Sequence, residues 1–403
     1  MKKSMIVAAM LAMVATGANA KSATDSATIA KNKPVFTVVK QNPITSIKDQ
    51  NRSGTCWAYS TLSYFESEIL KHTGKTYDLS EMFVANKTYM DRATMAVRMH
   101  GDVSFSQGGS AYDVLYALQH YGIVPEGAMP APGTLTGDSL ANFGEFFDVM
   151  TPYVEAVAKS NAKKISSAWK SGLQGIIDSY IGKTPEKFTY HGKQYTPQSF
   201  CQSLGLNLDD YVTITSYTHH PMWSKFAVEV QDNWRWPLSY NVPMDDLCKI
   251  IDNAINNGYT VAWGGDVTED GFTRKGLGIA YDVKKVRSMA GTDADHWFKL
   301  SKDEKKEKFD SLGVNAPEVV PTQAMRQEAF DNWETTDDHG MHIYGIAKDQ
   351  NGKEYYMVKN SWGEYGDYKG TWYMTKAFVA YKTMDFMVNK NAIPKDIRKK
   401  LGI

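Results

Sequence analysis

Cysteine is scarce in this chain: Cys56, Cys201 and Cys248 are the three among 403 residues. An odd count leaves at least one thiol outside any disulfide. Cys201 and Cys248 read either as a disulfide in an oxidising compartment or as two small buried apolar groups. An excess of one charge sign is also missing. Lys plus Arg number 45 and Asp plus Glu number 45, a formal net charge of zero. That balance excludes the basic footprint of a nucleic-acid binder. No apolar run approaches the ~20 residues needed to span a bilayer, so no membrane span is expected. There is no P-loop, no dinucleotide fingerprint and no internal repeat, and no cofactor is implied.

The first twenty residues stand apart. Lys2-Lys3 is a short basic start, Ile6 to Thr16 is apolar, and Ala18-Asn19-Ala20 is a small-x-small cleavage pattern. Residues 1–20 therefore read as a signal peptide, with the mature chain starting at Lys21 in the periplasm or outside the cell. Residues 21–33 read as a mobile N-terminal segment. From Cys56 to Lys71 the apolar residues Ala58, Leu62, Phe65 and Ile69 recur at helical spacing, with Gly74 as the stop. A second helix is expected from Ser80 to about Met90, and long helices over Asn142–Ser160 and Ala162–Ile181. Ser301–Phe309 reads as a solvated charged helix or loop. The last third turns to strands: Val261–Trp263, Ile343–Ala347, Tyr355–Lys359 and Thr371–Met374. Helices first and strands later predict an α+β fold. The expected divisions are a helical unit over 34–132, a helical insertion over 133–255 and a β-rich unit over 256–403.

Chemistry concentrates in three places. Gln50 stands six residues before Cys56, in Ser53-Gly54-Thr55-Cys56-Trp57; Asp338-His339-Gly340-Met341 and Asn360-Ser361-Trp362-Gly363 follow far downstream. A Cys at a helix N-terminus, a His and an Asn are the parts of a thiol nucleophile system. The Gln50 amide and the Cys56 N–H would be two donors for a developing oxyanion. Asp349-Gln350-Asn351-Gly352 is turn-rich, and a hairpin centred there sets residue 341 opposite 360. Asn360 then arrives beside His339, to fix its tautomer and orientation, with Trp362 covering the bond. His342 falls on the other strand face. A metal reading would draw on Asp337, Asp338, His339 and His342, but a three-residue offset on a strand does not converge two imidazoles, so no metal is expected. His219-His220-Pro221 reads as a loop. Gly108 and Gly109, before a helical pattern at Tyr112, Leu115, Tyr116 and Gln119, read as a plain loop or as bare backbone against which a peptide can lie.

On these residues the chain resembles the papain superfamily, and within it the bleomycin hydrolase and aminopeptidase C family. Ser53-Gly54-Thr55-Cys56-Trp57 keeps the Gly, Cys and Trp of the papain fingerprint. Thr55 stands where that family usually has Arg, and Gly340 where it has Ala. Asn360-Ser361-Trp362-Gly363-Glu364 matches without change. The long Cys56–His339 interval fits that family's helical insertion. The resemblance implies two papain-like subdomains with a cleft between them, Cys56 on the helical side and His339 with Asn360 on the strand side. It implies a cysteine peptidase acting on peptides, and a homohexamer. In that family a C-terminal arm reaches into the cleft and its carboxylate captures the substrate's amine. This sequence stops at Lys399-Lys400-Leu401-Gly402-Ile403, which sets endopeptidase cleavage beside aminopeptidase or mixed action. A thiol acyltransferase and a non-catalytic peptide-binding protein are the readings from other classes.

Overall fold

The computed structural model describes residues 32–132, 140–289, 301, 304, 309 and 311–403. The signal-peptide reading over 1–20, nearly all of 21–33 and most of Ser301–Phe309 lie outside the described residues.

Helix α1 (Cys56–Thr73) runs through the centre. Ala58, Leu62, Phe65 and Ile69 are fully buried, as their spacing predicts. Ser60, Ser63, Glu66, Ser67 and Glu68 on its other faces are buried as well. A helix buried all round lies between two layers rather than on a surface. Gly74 ends it with φ +69° and returns its N–H to Leu70 O. That left-handed position suits Gly because it carries no Cβ.

The helical layer is α2 (Glu81–Arg98), α3 (Ala111–His120), α4 (Gly144–Ala158) and α5 (Ala168–Ile181). Ser80 caps α2 through the Phe83 N–H, and Ser110 with Asp113 forms a capping box on α3. α2 runs eight residues beyond the expected Met90. Trp57, Leu62, Phe83, Tyr89 and Phe146 share this layer's core.

The opposite layer is a mixed sheet. Its main strands are β1 (Thr37–Gln41), β2 (Tyr211–Thr215), β3 (Ser239–Asn241), β4 (Val261–Gly265), β5 (His339–Lys348), β6 (Glu354–Lys359), β7 (Thr371–Thr375) and β8 (Thr383–Asn389). The hydrogen-bonded order is β3-β2-β8-β4-β5-β6-β7. β5 pairs β4 along its first half and β1 along its second. The β5–β6 hairpin sets His342 opposite Lys359 and Ile343 opposite Val358, the register the turn predicts. The register then slips by one residue at Tyr344, whose carbonyl accepts the Asn42 N–H at 2.9 Å instead.

The expected helical insertion over 133–255 also carries strands. Its later part supplies β2 and β3, which join the main sheet through β8. Tyr211-Val212-Thr213-Ile214-Thr215 is a β-branched run suited to a buried strand. Helix α6 (Met244–Asn256) then buries Leu247, Ile250, Ile251 and Ala254 against the sheet. The strand side thus begins near 211, and its cleft faces the helical side along the start of α1.

Candidate active site

Cys56 is the first residue of α1. Ala58 N–H and Tyr59 N–H both turn back to Thr55 O, at 2.9 and 3.1 Å. This leaves the N–H groups of Cys56 and Trp57 at the helix tip, where partial positive charge gathers. Cys56, Gly54, Asp232, Asp337 and His339 line one cavity of about 170 Å³ between the two layers. The nucleophile and the imidazole therefore share one space.

His339 opens β5, and its Nε2 lies 2.8 Å from Asn360 Oδ1. Ser361 N–H donates to the same oxygen at 2.8 Å, which identifies that atom as an acceptor. His339 must then carry its proton on Nε2, leaving the Nδ1 lone pair free for the thiol. The Trp362 ring lies over the imidazole with centroids 4.9 Å apart, backed edge-on by Trp372. This sets it beside the His–Asn bond, and, although expected to touch substrate with Gly108 and Gly109, it is not among the cavity-lining residues.

Burial dominates the electrostatics. It pushes the Cys56 thiol up to about 12, with Asp337 and Asp232 adding repulsion, while backbone groups of Gly340 and Trp57 pull the other way. Burial likewise holds His339 down to about 4 against the Asn360 bond. Burial thus opposes the thiolate that a helix tip by itself favours. Each ion by itself is opposed by desolvation.

Gln50 is buried and not among the residues lining this cavity. Its Nε2 donates to Ser53 O at 2.6 Å and its Oε1 accepts from Ser361 Oγ at 2.6 Å. One Nε2 hydrogen remains beyond the Ser53 bond.

Gly108 and Gly109 line the cavity, but neither is bare. A Cβ on residue 108 would stand 1.9 Å from Asp232 Oδ2, and one on residue 109 would stand 2.8 Å from the Trp57 indole. Gly108 O is taken by the Arg92 guanidinium at 2.6 Å. These glycines let a carboxylate and an indole close down on the chain.

Asp232 is the residue that sequence reading missed. Arg92, fully buried, holds its Oδ1 at 3.0 Å, with Ser106 Oγ at 3.4 Å. Its Oδ2 makes no hydrogen bond among the described residues and lies over Gly108 at the cavity wall. Asp337 shares the cavity, its carboxyl raised well above the usual range by burial and then by repulsion from Asp232. No local pattern marks Asp232, because its partners come from α2 and from the loop before α3.

Among the described residues, Asp337, Asp338, His339 and His342 do not form a convergent ligand group. His342 Nδ1 meets Ser63 Oγ at 2.9 Å on the face toward α1, and Asp338 accepts the Val267 N–H at 2.9 Å. Cys201 and Cys248 are both free thiols. Cys201 lies buried against Leu118 O, as the buried-group reading has it, while Cys248 is partly buried beside the sheet core with its Sγ 3.8 Å from Lys376 O.

The chain matches the Peptidase C1-like family over residues 2–335 and 315–402. It is 24% identical over 397 residues to aminopeptidase G of Lactobacillus delbrueckii subsp. lactis, covering 89% of this chain and 84% of that protein. It is 24% identical to aminopeptidase C of Lactobacillus helveticus, with 90% and 85% covered. To the bleomycin hydrolase of Rattus norvegicus it is 22% identical, with 92% and 86% covered. The crystal structure of PepW from Lactobacillus rhamnosis superposes with a TM-score of 0.67 at 18% identity, covering 98% of this chain and 92% of that one. That likeness shows the same papain-like fold. The chain therefore belongs to the Peptidase C1-like family and is a papain-type cysteine peptidase of the aminopeptidase C kind.

Proposed function

We propose that this peptidase is exported and removes residues from the free amino end of oligopeptides through a thioester. Cys56 Sγ passes its proton to His339 Nδ1 and attacks the scissile carbonyl carbon. The C–N bond then breaks, and the imidazolium returns the proton to the departing amine. Water, deprotonated by the same imidazole, hydrolyses the thioester. The Cys56 N–H and the remaining Gln50 Nε2 hydrogen hold the oxyanion. Asn360 keeps His339 in the tautomer this sequence of transfers needs.

The observation that carries the exopeptidase reading is Asp232 over Gly108. An extended peptide lying along residues 108–109 meets a fixed carboxylate with one unengaged oxygen. A chain that ends there in an ammonium group gains a charge-assisted hydrogen bond, and one that continues meets an obstruction. Residues 395–403 are not among those lining the cavity, and Lys400 instead sits over the Trp223 ring at 4.5 Å.

Cleavage of matched peptides with free and N-acetylated amino ends, under reducing conditions, tests the reading. Loss of cleavage on acetylation supports it, and equal cleavage gives the endopeptidase alternative. Amine acceptors added to the same assay, with products weighed by mass, expose an acyltransferase. Export is tested by where the full chain accumulates and by its mass after Lys21. The homohexamer is tested by light scattering.

A further inference from the structure

Away from the catalytic pair, His219, His220 and Glu229 converge. His219 Nε2 lies 2.9 Å from Glu229 Oε2, and His220 Nε2 lies 2.9 Å from Glu229 Oε1. The three ligand atoms fall within 4.8 Å of one another. Tetrahedral zinc with bonds of ~2.0–2.1 Å holds its ligands ~3.3 Å apart, so the cluster would tighten by up to ~1.5 Å at its widest pair, a shift that side-chain rotation supplies. All three side chains are partly exposed, which gives an ion a path in.

The surroundings fix both rings. Phe226 stacks on His220 with centroids 4.1 Å apart and planes at 19°. Phe330 stacks on His219 at 5.6 Å and 17°. Gln327 lies across the other nitrogen of His219, with Oε1 at 3.3 Å and Nε2 at 3.1 Å from Nδ1. The Thr218 N–H, 2.6 Å away, marks Oε1 as an acceptor. With a cation on Nε2, the Nδ1 proton has that oxygen as its acceptor, and the Nε2 lone pair points to the centre of the cluster. Metal-binding imidazoles are commonly oriented through the other ring nitrogen in this way. Two neutral imidazoles and one carboxylate give a net charge of −1, suited to a dication.

We propose that His219, His220 and Glu229 form a binding site for a divalent transition-metal ion of the zinc type, with three protein ligands and an open fourth position. The site ties the 219–220 turn to the segment whose Val228 and Val230 line the catalytic cavity. It does not rest on the peptidase reading.

Zinc chloride alone, titrated calorimetrically into metal-free protein with a phosphine reductant present, tests it. The wild type and Cys56→Ala are each expected to bind one equivalent at this site. Glu229→Gln and His220→Gln are expected to bind it at least ~100-fold more weakly, since even partners behind a ligand are worth 10–100-fold. Zinc bound by Glu229→Gln as tightly as by wild type overturns the proposal, as does loss of the equivalent in Cys56→Ala. Cobalt(II) added to wild type gives a second readout that needs no variant to fold. Tetrahedral visible bands without a thiolate charge-transfer band support the site, and a thiolate band or no spectrum refutes it.

Discussion

Gln50 and Ser361 are joined twice: the Gln50 backbone N–H donates to Ser361 O at 2.8 Å, and Ser361 Oγ donates to Gln50 Oε1 at 2.6 Å. Ser361 also gives its N–H to Asn360 Oδ1. One residue thus sets which end of the Gln50 amide faces away and which tautomer His339 holds. Gln50→Ala should lower kcat by about 10²–10³ with little change in KM, the signature of an oxyanion donor. Ser361→Ala should cost about tenfold, as a positioning residue does. Steady-state kinetics on a free-amine peptide check both, and a KM effect alone in Gln50→Ala would remove it from the oxyanion role.

Asp232→Asn keeps the shape and the Arg92 contact but removes the charge. A hydrogen bond to a charged group contributes about 1.5–3 kcal/mol. The variant should lose about 10–100-fold in kcat/KM on free-amine peptides and change little on acetylated ones. Equal losses on both would show that Asp232 only supports the cavity wall.

Gly340 stands where the resembled family has Ala. Here a Cβ would meet Ser60 Oγ at 2.7 Å, Trp57 Cα at 3.2 Å and Cys56 O at 3.3 Å. Gly340→Ala should destabilise the fold by about 1–3 kcal/mol, the usual effect of overpacking, and lower activity by pushing α1 from β5. Adding Ser60→Gly should return part of both. Chemical denaturation and kcat/KM on the single and double variants decide it, and a neutral Gly340→Ala would contradict the close approach.

Glu68 is buried on α1, and burial raises its carboxyl to about 7 against the Asn389 bond. A raised acid binds its proton more tightly folded than unfolded. The stability it supports is full below the unfolded value near 4.5 and is lost as pH rises through 7. The difference amounts to about 3 kcal/mol at most. Glu68→Gln should therefore flatten the fall in melting temperature between pH 5 and pH 8. Parallel melting curves for the variant and wild type would place the pH dependence elsewhere.

The sequence made α1 and the β5–β6 hairpin legible because both are local. Four apolar residues at helical spacing and one turn-rich tetrapeptide were enough to bring His339 to Asn360. The strand Tyr211–Thr215 was hidden because its partners lie in β3 and in β8, the latter near the chain's end. Asp232 and the His219-His220-Glu229 cluster were illegible for the same reason: loops with no periodicity acquire meaning only from what packs on them. The burial around Cys56 was illegible because a helix terminus is visible in sequence and the packing over it is not.

The most direct test uses the other two free thiols, Cys201 and Cys248, as internal controls. Wild type and His339→Ala are treated with a peptide vinyl sulfone bearing a free amine, and intact mass and peptide mapping follow the label. The expected result is one label on Cys56, formed at least ~100-fold faster in wild type than in His339→Ala. Labelling of Cys201 or Cys248 at the same rate, or equal rates with and without His339, would contradict a nucleophile built from Cys56 and that imidazole.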